Sequence, residues 1–183
     1  HKENVIPFLD SLRPFAAKVG AVNTVVITPE RKLVGHNTDG PGFLAHLKEA
    51  GFDPKDKRIA ILGAGGASRA LISVLCLLPE KAQSIKVFDT DHGRANVLIQ
   101  DLSSRMDTSR VEVVNSIDDL NIELADLLIN ATPIGMKPTD PSLVNEELLH
   151  PHMMVYDLVY NPAQTKLLAM AAARGAKPVN GLK

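Results

Sequence analysis

Gly63-Ala-Gly-Gly-Ala67 interrupts one apolar run, Ile59 to Leu62, and leads into another, Leu71, Ile72, Val74, Leu75, Leu77 and Leu78. Strand, glycine turn and helix in that order form a phosphate-binding arrangement. Gly63 makes the turn, and Gly65 lets the backbone approach a pyrophosphate resting on the unpaired N–H groups at the helix start. Ala64, Gly66 and Ala67 complete the run, and the usual third glycine position holds Ser68, small enough for close helix–strand packing. Ordinary βα loops also carry such turns, so the dinucleotide reading depends on what the neighbouring strand ends supply.

In an open parallel sheet, ligands lie outside the carboxyl ends of the strands. Asp89 ends the second strand, 26 positions after Gly63, where a carboxylate accepts hydrogen bonds from an adenosine ribose. Such a carboxylate repels a 2′-phosphate and only Arg94 lies near, so NAD is expected over NADP; the other reading of Asp89 is a helix cap. Asn130-Ala-Thr-Pro-Ile-Gly-Met136 follows the fourth strand. Pro133 and Gly135 stop regular structure there, which leaves a polar loop at the nicotinamide end or an ordinary βα turn. Tyr160 follows the fifth strand at the same edge. Lys2, Asn23 and Asp39, each beside a break in structure, offer an ammonium, an amide and a carboxylate.

These residues need a sheet to position them, and 183 residues can bury one. From Arg58 the pattern alternates strand and helix, with strands over 59–62, 84–89, 111–114, 126–130, 153–157 and 176–179 and helices near 91–106 and 163–174. This predicts an α/β fold: a Rossmann-like, mostly parallel sheet with helices on both faces. Residues 1–51 read as the remainder of a smaller α/β substrate-binding unit, and 52–183 as the nucleotide-binding domain. In the former, 3–20 reads as short helical turns broken by Pro7 and Pro14, 21–27 and 32–35 as a hairpin, and the stretch from Pro41 to Gly51 as a helix. A net charge of −1 gives no electrostatic support for nucleic acid or an anionic membrane as partner. No stretch approaches the roughly 18 uninterrupted apolar residues of a membrane span. The lone Cys76 fits a reducing, cytoplasmic setting, and six scattered His give no metal site.

Taken together, Gly20-Ala-Val-Asn-Thr24, Asn37-Thr-Asp-Gly40, Gly63-Ala-Gly-Gly-Ala-Ser-Arg-Ala70, Asn130-Ala-Thr-Pro-Ile-Gly-Met136 and Tyr156-Asp-Leu-Val-Tyr-Asn-Pro162 with Thr165-Lys-Leu-Leu168, preceded by His1-Lys2, resemble the shikimate dehydrogenase family, including its quinate/shikimate branch. The resemblance implies reversible reduction of 3-dehydroshikimate to shikimate by a reduced nicotinamide. Lys2 and Asp39 would be the catalytic pair, with either one taking the proton. Asn23, Thr38 and Tyr160 would meet the substrate. Gly63 to Ala67, Asp89, Arg94, Asn130 to Pro133 and Met136 would hold the cofactor. Asp89-Thr-Asp91 stands where the family's NADP users carry an Asn-Arg-Thr type sequence, which again implies NAD. Quinate as a further substrate, a homodimer, and a truncated nucleotide-binding module without turnover stay open. Both ends read as cut: the family's Ser-x-Ser segment lies upstream of the matched part, and its glutamine-bearing helix follows Asn180-Gly-Leu182.

Overall fold

The computed structural model describes residues 2–181; His1 of the His1-Lys2 match, and Leu182 and Lys183 at the closing match, lie outside the described residues. Its centre is β4 (Arg58–Leu62), whose residues 59–62 are at most 2% exposed. A strand buried on both faces has no polar face to show, hence the unbroken apolar run. It pairs in parallel with β5 (Ser84–Phe88) on one side, Ile59 opposite Ile85, and with β7 (Leu127–Asn130) on the other, Ile59 opposite Leu127. Beyond these lie β6 (Val111–Val113), then β8 (Met154–Asp157) and β9 (Lys177–Asn180), in the order β6-β5-β4-β7-β8-β9. All six strands are parallel. The order reverses between β4 and β7, which opens a crevice at their carboxyl ends.

Alternation along the strands builds the two layers. Ile59, Ile61, Val87, Ile129 and Tyr156 share one core with α2 (Asp39–Glu49), α3 (Gly66–Cys76) and α4 (His92–Ser103). Ala60, Leu62, Leu128 and Val155 pack on the opposite side with α5 (Lys166–Ala173) and the tight turns around Leu120 and Ile122. Each strand and helix expected from Arg58 onward is present, with no end moved by more than three residues.

Ahead of β4 stands a three-stranded sheet in which β3 (Leu33–His36) pairs antiparallel with β2 (Thr24–Ile27) and parallel with β1 (Ser11–Leu12). The expectation of helical turns through 3–20 is corrected by β1, two residues too short to show a period. Pro14 opens α1 (Pro14–Val19) rather than breaking a helix, since the first helical position needs no N–H donor. Gly20 ends α1 at φ 69°, the left-handed conformation that favours glycine. Gly40 has a packing reason: a Cβ there would lie 2.4 Å from Phe15 Cζ and 3.0 Å from the Ala70 carbonyl oxygen. Its absence lets α2 cross close to α3. Farther along α2, His46 hydrogen-bonds the Tyr156 hydroxyl at 2.9 Å, and Lys177 donates to the Ala50 carbonyl at 2.5 Å.

Candidate active site

At the crevice, Gly63 is required twice over. Its φ is 96°, and a Cβ would lie 3.0 Å from the carbonyl carbon and oxygen of Ala131. Gly65 caps α3 with no side-chain bond, and a Cβ added to it would meet nothing within 4 Å. The first-turn N–H groups of α3 therefore lack intrahelical acceptors and open onto free space. The cleft in front of them measures about 470 Å³, bordered by Gly63, Gly65, Asp89, Arg94, Ala131 and Thr132. An extended groove, a bare helix start and glycines at the closest approach fit the pyrophosphate and ribose of a dinucleotide.

Asp89 is 6% exposed, and its carboxylate is fully engaged. Oδ2 accepts from the Ala64 N–H at 2.7 Å, Oδ1 from the Asp91 N–H at 2.8 Å, and Arg94 Nη2 reaches both oxygens at 2.7 and 2.9 Å. Burial pushes the Asp89 carboxyl up, but Arg94 and the two amides outweigh it and hold it below the usual range. It does not cap α4; Asp91 does, accepting from the Arg94 N–H at 3.0 Å. Ala64's amide is thus committed to Asp89, while half-exposed Arg94 presents a guanidinium at the cleft.

Asn130 is fully buried and spends its amide inside the protein. Nδ2 donates to the Ile134 carbonyl at 3.0 Å and to Asp157 at 2.8 Å, while Oδ1 accepts from the Thr132 N–H at 3.0 Å and the Thr132 hydroxyl at 2.7 Å. It shapes the loop that puts Ala131, Thr132 and Pro133 on the cleft wall. Met136 is exposed and is not among the residues bordering the cleft.

Lys2, Asn23, Thr38 and Asp39 converge from three segments. Lys2 Nζ lies 2.5 Å from Asp39 Oδ2, and Asn23 Nδ2 donates to Asp39 Oδ1 at 2.6 Å and to the Thr38 hydroxyl at 3.0 Å. The buried Asn37 steadies the group, donating to the Ala21 carbonyl at 3.2 Å and accepting from the Asp39 N–H at 3.1 Å. Lys2 also leans over the glycine turn, since a Cβ at Gly66 would be 3.9 Å from Lys2 Cδ. A cation held by a carboxylate beside a nucleotide cleft can carry a proton to or from a ligand oxygen. Tyr160 is 60% exposed after β8, and no hydrogen bond joins it to this group among the described residues.

Sequence reasoning missed Asn37, which accepts the Asp39 N–H, and Asp157, which accepts from the buried Asn130 amide and the Thr165 hydroxyl. Asp157 carried a signal, because like Asp89 it closes a strand at the ligand edge.

No family model matches the chain. Over its whole length it is 43% identical to shikimate dehydrogenase (NADP(+)) of Moorella thermoacetica, of which it spans 62%. Its fold is similar to shikimate 5-dehydrogenase of Listeria monocytogenes, solved with shikimate and NAD, at TM-score 0.86 and 34% identity, covering 100% of this chain and 65% of that one. Quinate dehydrogenase from Corynebacterium glutamicum, solved with NAD, matches at TM-score 0.84 and 35% identity, covering 98% and 64%. The chain thus spans less than two thirds of the relatives it matches. The expectation of NAD over NADP is overturned: curated relatives from M. thermoacetica and Methanobrevibacter smithii are NADP(+) enzymes by name, which puts NADP at least level with NAD. The physical reason lies in Asp89, whose charge is balanced by Arg94 and so is no free repulsive group facing a 2′-phosphate.

Proposed function

We propose, for a chain that belongs to the shikimate/quinate dehydrogenase family, an NAD(P)-linked alcohol dehydrogenase acting on ring-hydroxylated carboxylic acids, with a range that takes in quinate as well as shikimate. The observation that carries this reading is the Lys2–Asp39–Asn23 group standing over Gly66 of the nucleotide turn. The cofactor, when bound, supplies hydride transfer. The chain's own residues hold the cofactor's phosphates on the α3 N-terminus and manage the hydroxyl proton.

Both oxygens of Asp39 are occupied, one by Lys2 and one by Asn23. This favours Asp39 as the group that orients and Lys2 as the group that carries the proton, because an ammonium keeps further N–H positions for a ligand oxygen. Thr38 and Asn23 share a hydrogen bond beside Asp39, and both are assigned to substrate; Tyr160, at the strand edge after β8, is assigned to substrate on the family resemblance. The division between the substrate-binding and nucleotide-binding units is placed after Gly51, where α2 has ended and φ is 76°.

The test is steady-state kinetics of the protein as its gene encodes it, with shikimate and quinate and with both cofactors. Lys2→Ala should lower kcat by roughly 10²- to 10⁴-fold, the scale of a positioned acid–base group. Asp39→Asn should cost less than Lys2→Ala, because Lys2 keeps its donors and loses only the carboxylate that orients it. Retention of kcat within about threefold in Lys2→Ala would remove lysine from the chemistry.

A further inference from the structure

Arg69 belongs to the glycine-turn motif, one turn into the helix that starts at the phosphate site, yet its side chain leaves the cleft. The residue is 7% exposed and reaches three other segments. Nη1 donates to the Val19 carbonyl at 3.1 Å, at the end of α1, and also contacts Asp101 Oδ2 of α4. Nε lies 3.2 Å from Glu3 Oε1. Arg105 takes the other oxygen of Asp101 at 3.2 Å, so that carboxylate is held between two guanidiniums. Arg69 draws the Asp101 carboxyl below its usual range, and Arg105 adds to this against the opposing effect of burial.

Two of those partners belong to the small leading unit, and both lie next to its chemistry. Glu3 is the neighbour of Lys2, and the Lys2 carbonyl accepts the Val22 N–H at 2.8 Å, one residue before Asn23. Val19 is followed by Gly20 and the segment 21–23. A buried guanidinium with a rigid fork of donors sets distances between its partners in a way that a flexible ammonium does not.

We infer that Arg69 is a positioning residue for the proposed reaction: with Glu3 and the Val19 carbonyl it fixes Lys2 and Asn23 at their distance from the phosphate-binding turn. Its register with the turn comes from its own place in α3. The two halves of the site are thereby set against each other by one side chain that touches neither ligand. This rests on the proposed function for its kinetic part and on the Glu3–Arg69–Val19 geometry for its structural part.

The experiment uses the protein as its gene encodes it, with Glu3→Ala, Glu3→Asp and Arg69→Lys. Glu3 is 58% exposed at its side chain, so removing it does not endanger the core. In Glu3→Ala and Arg69→Lys, kcat should fall about 10- to 100-fold, the scale of a misplacement near 1 Å, while the dinucleotide Kd stays within about twofold. Glu3→Asp should recover part of the loss. Hydrogen exchange at the Val22 amide should quicken in Glu3→Ala while the β4 amides keep their protection. A kcat within about twofold of the parent, an equal loss in dinucleotide affinity, or an unchanged Val22 amide would each overturn the inference. If the parent turns over no ring-hydroxylated acid, the proposed function fails, and the exchange result alone decides whether Arg69 holds the Lys2 segment.

Discussion

Asn130 and Asp157 sit opposite one another at the last paired positions of β7 and β8, and the Asn130 amide donates to Asp157 Oδ1 at 2.8 Å. The same carboxylate accepts the Val159 N–H at 2.9 Å and the Thr165 hydroxyl at 2.6 Å, all within the protein. Two strand ends, the loop after each and the start of α5 therefore meet at one buried acid. Asp157→Ala would strand these donors. A loss of roughly 1–3 kcal/mol for each buried group left unsatisfied is expected. Urea unfolding measures it, and a variant as stable as the parent would show that water or a rearranged loop replaces the carboxylate.

Stability should fall in acid, with one group acting in opposition. Asp89, Asp101 and Asp126 have carboxyls held below the ordinary value of 3.8, so each contributes stability that is present above 3.8 and lost as pH falls through its lowered folded value. Asp157 is raised by burial, beyond what its three hydrogen bonds offset. Its folded form binds the proton more readily than the unfolded chain, so its contribution declines as pH rises from 3.8 to the raised value. Thermal unfolding of the parent and Asp101→Asn from pH 2 upward in small steps should show a shallower acid limb in the variant. Parallel curves would exclude Asp101 from the effect.

Arg94 gives the cofactor cleft its positive charge, balanced on one side by Asp89. Arg94→Ala should weaken NADP by about 10- to 100-fold, corresponding to a hydrogen bond with a charged group, and NAD much less. Raising salt should reduce the NADP arm more steeply than the NAD arm. Calorimetric titration of both cofactors decides, and equal losses for the two would place the 2′-phosphate elsewhere.

Gly40→Ala should be more costly than its size suggests. The new methyl must displace the Phe15 ring and press on the Ala70 carbonyl, an overpacking cost of about 1–3 kcal/mol. Because Asp39 precedes it, turnover should drop as well. Unchanged stability by denaturant melt would mean that α2 slides along α3 without penalty.

The large sheet was legible because its strands are buried on both faces and cannot hide their apolar runs. Residues 59–62, 127–130 and 154–157 announce themselves in this way. The glycine turn was legible because Gly63 must combine a positive φ with a close approach to Ala131. Short elements in the leading unit were not: β1 is held by pairing with Val34 and Gly35 rather than by any local period. Cofactor choice was misread because Arg94 was counted as one nearby cation and not as the ion-pair partner of Asp89. Asp89 and Arg94 are both plain in the sequence, but only the turn between them brings Nη2 onto both oxygens. Arg69 was hidden for a similar reason, since its three partners come from residues 3, 19 and 101.

The reversal of strand order between β4 and β7 also dictates when the site can come into being. Ile59 faces Ile85, a near neighbour in the chain, on one side, but its other neighbour, Leu127, is synthesised far later. Closing so long a loop precedes the reward of pairing, which makes it a slow step. Until it happens, Gly63 has no Ala131 beside it and the crevice has only one wall. The dinucleotide therefore cannot help to nucleate this fold; it can bind only after the sheet's last central pairing, and any rescue of a weakened variant by cofactor must act by holding the finished protein rather than by hastening its assembly.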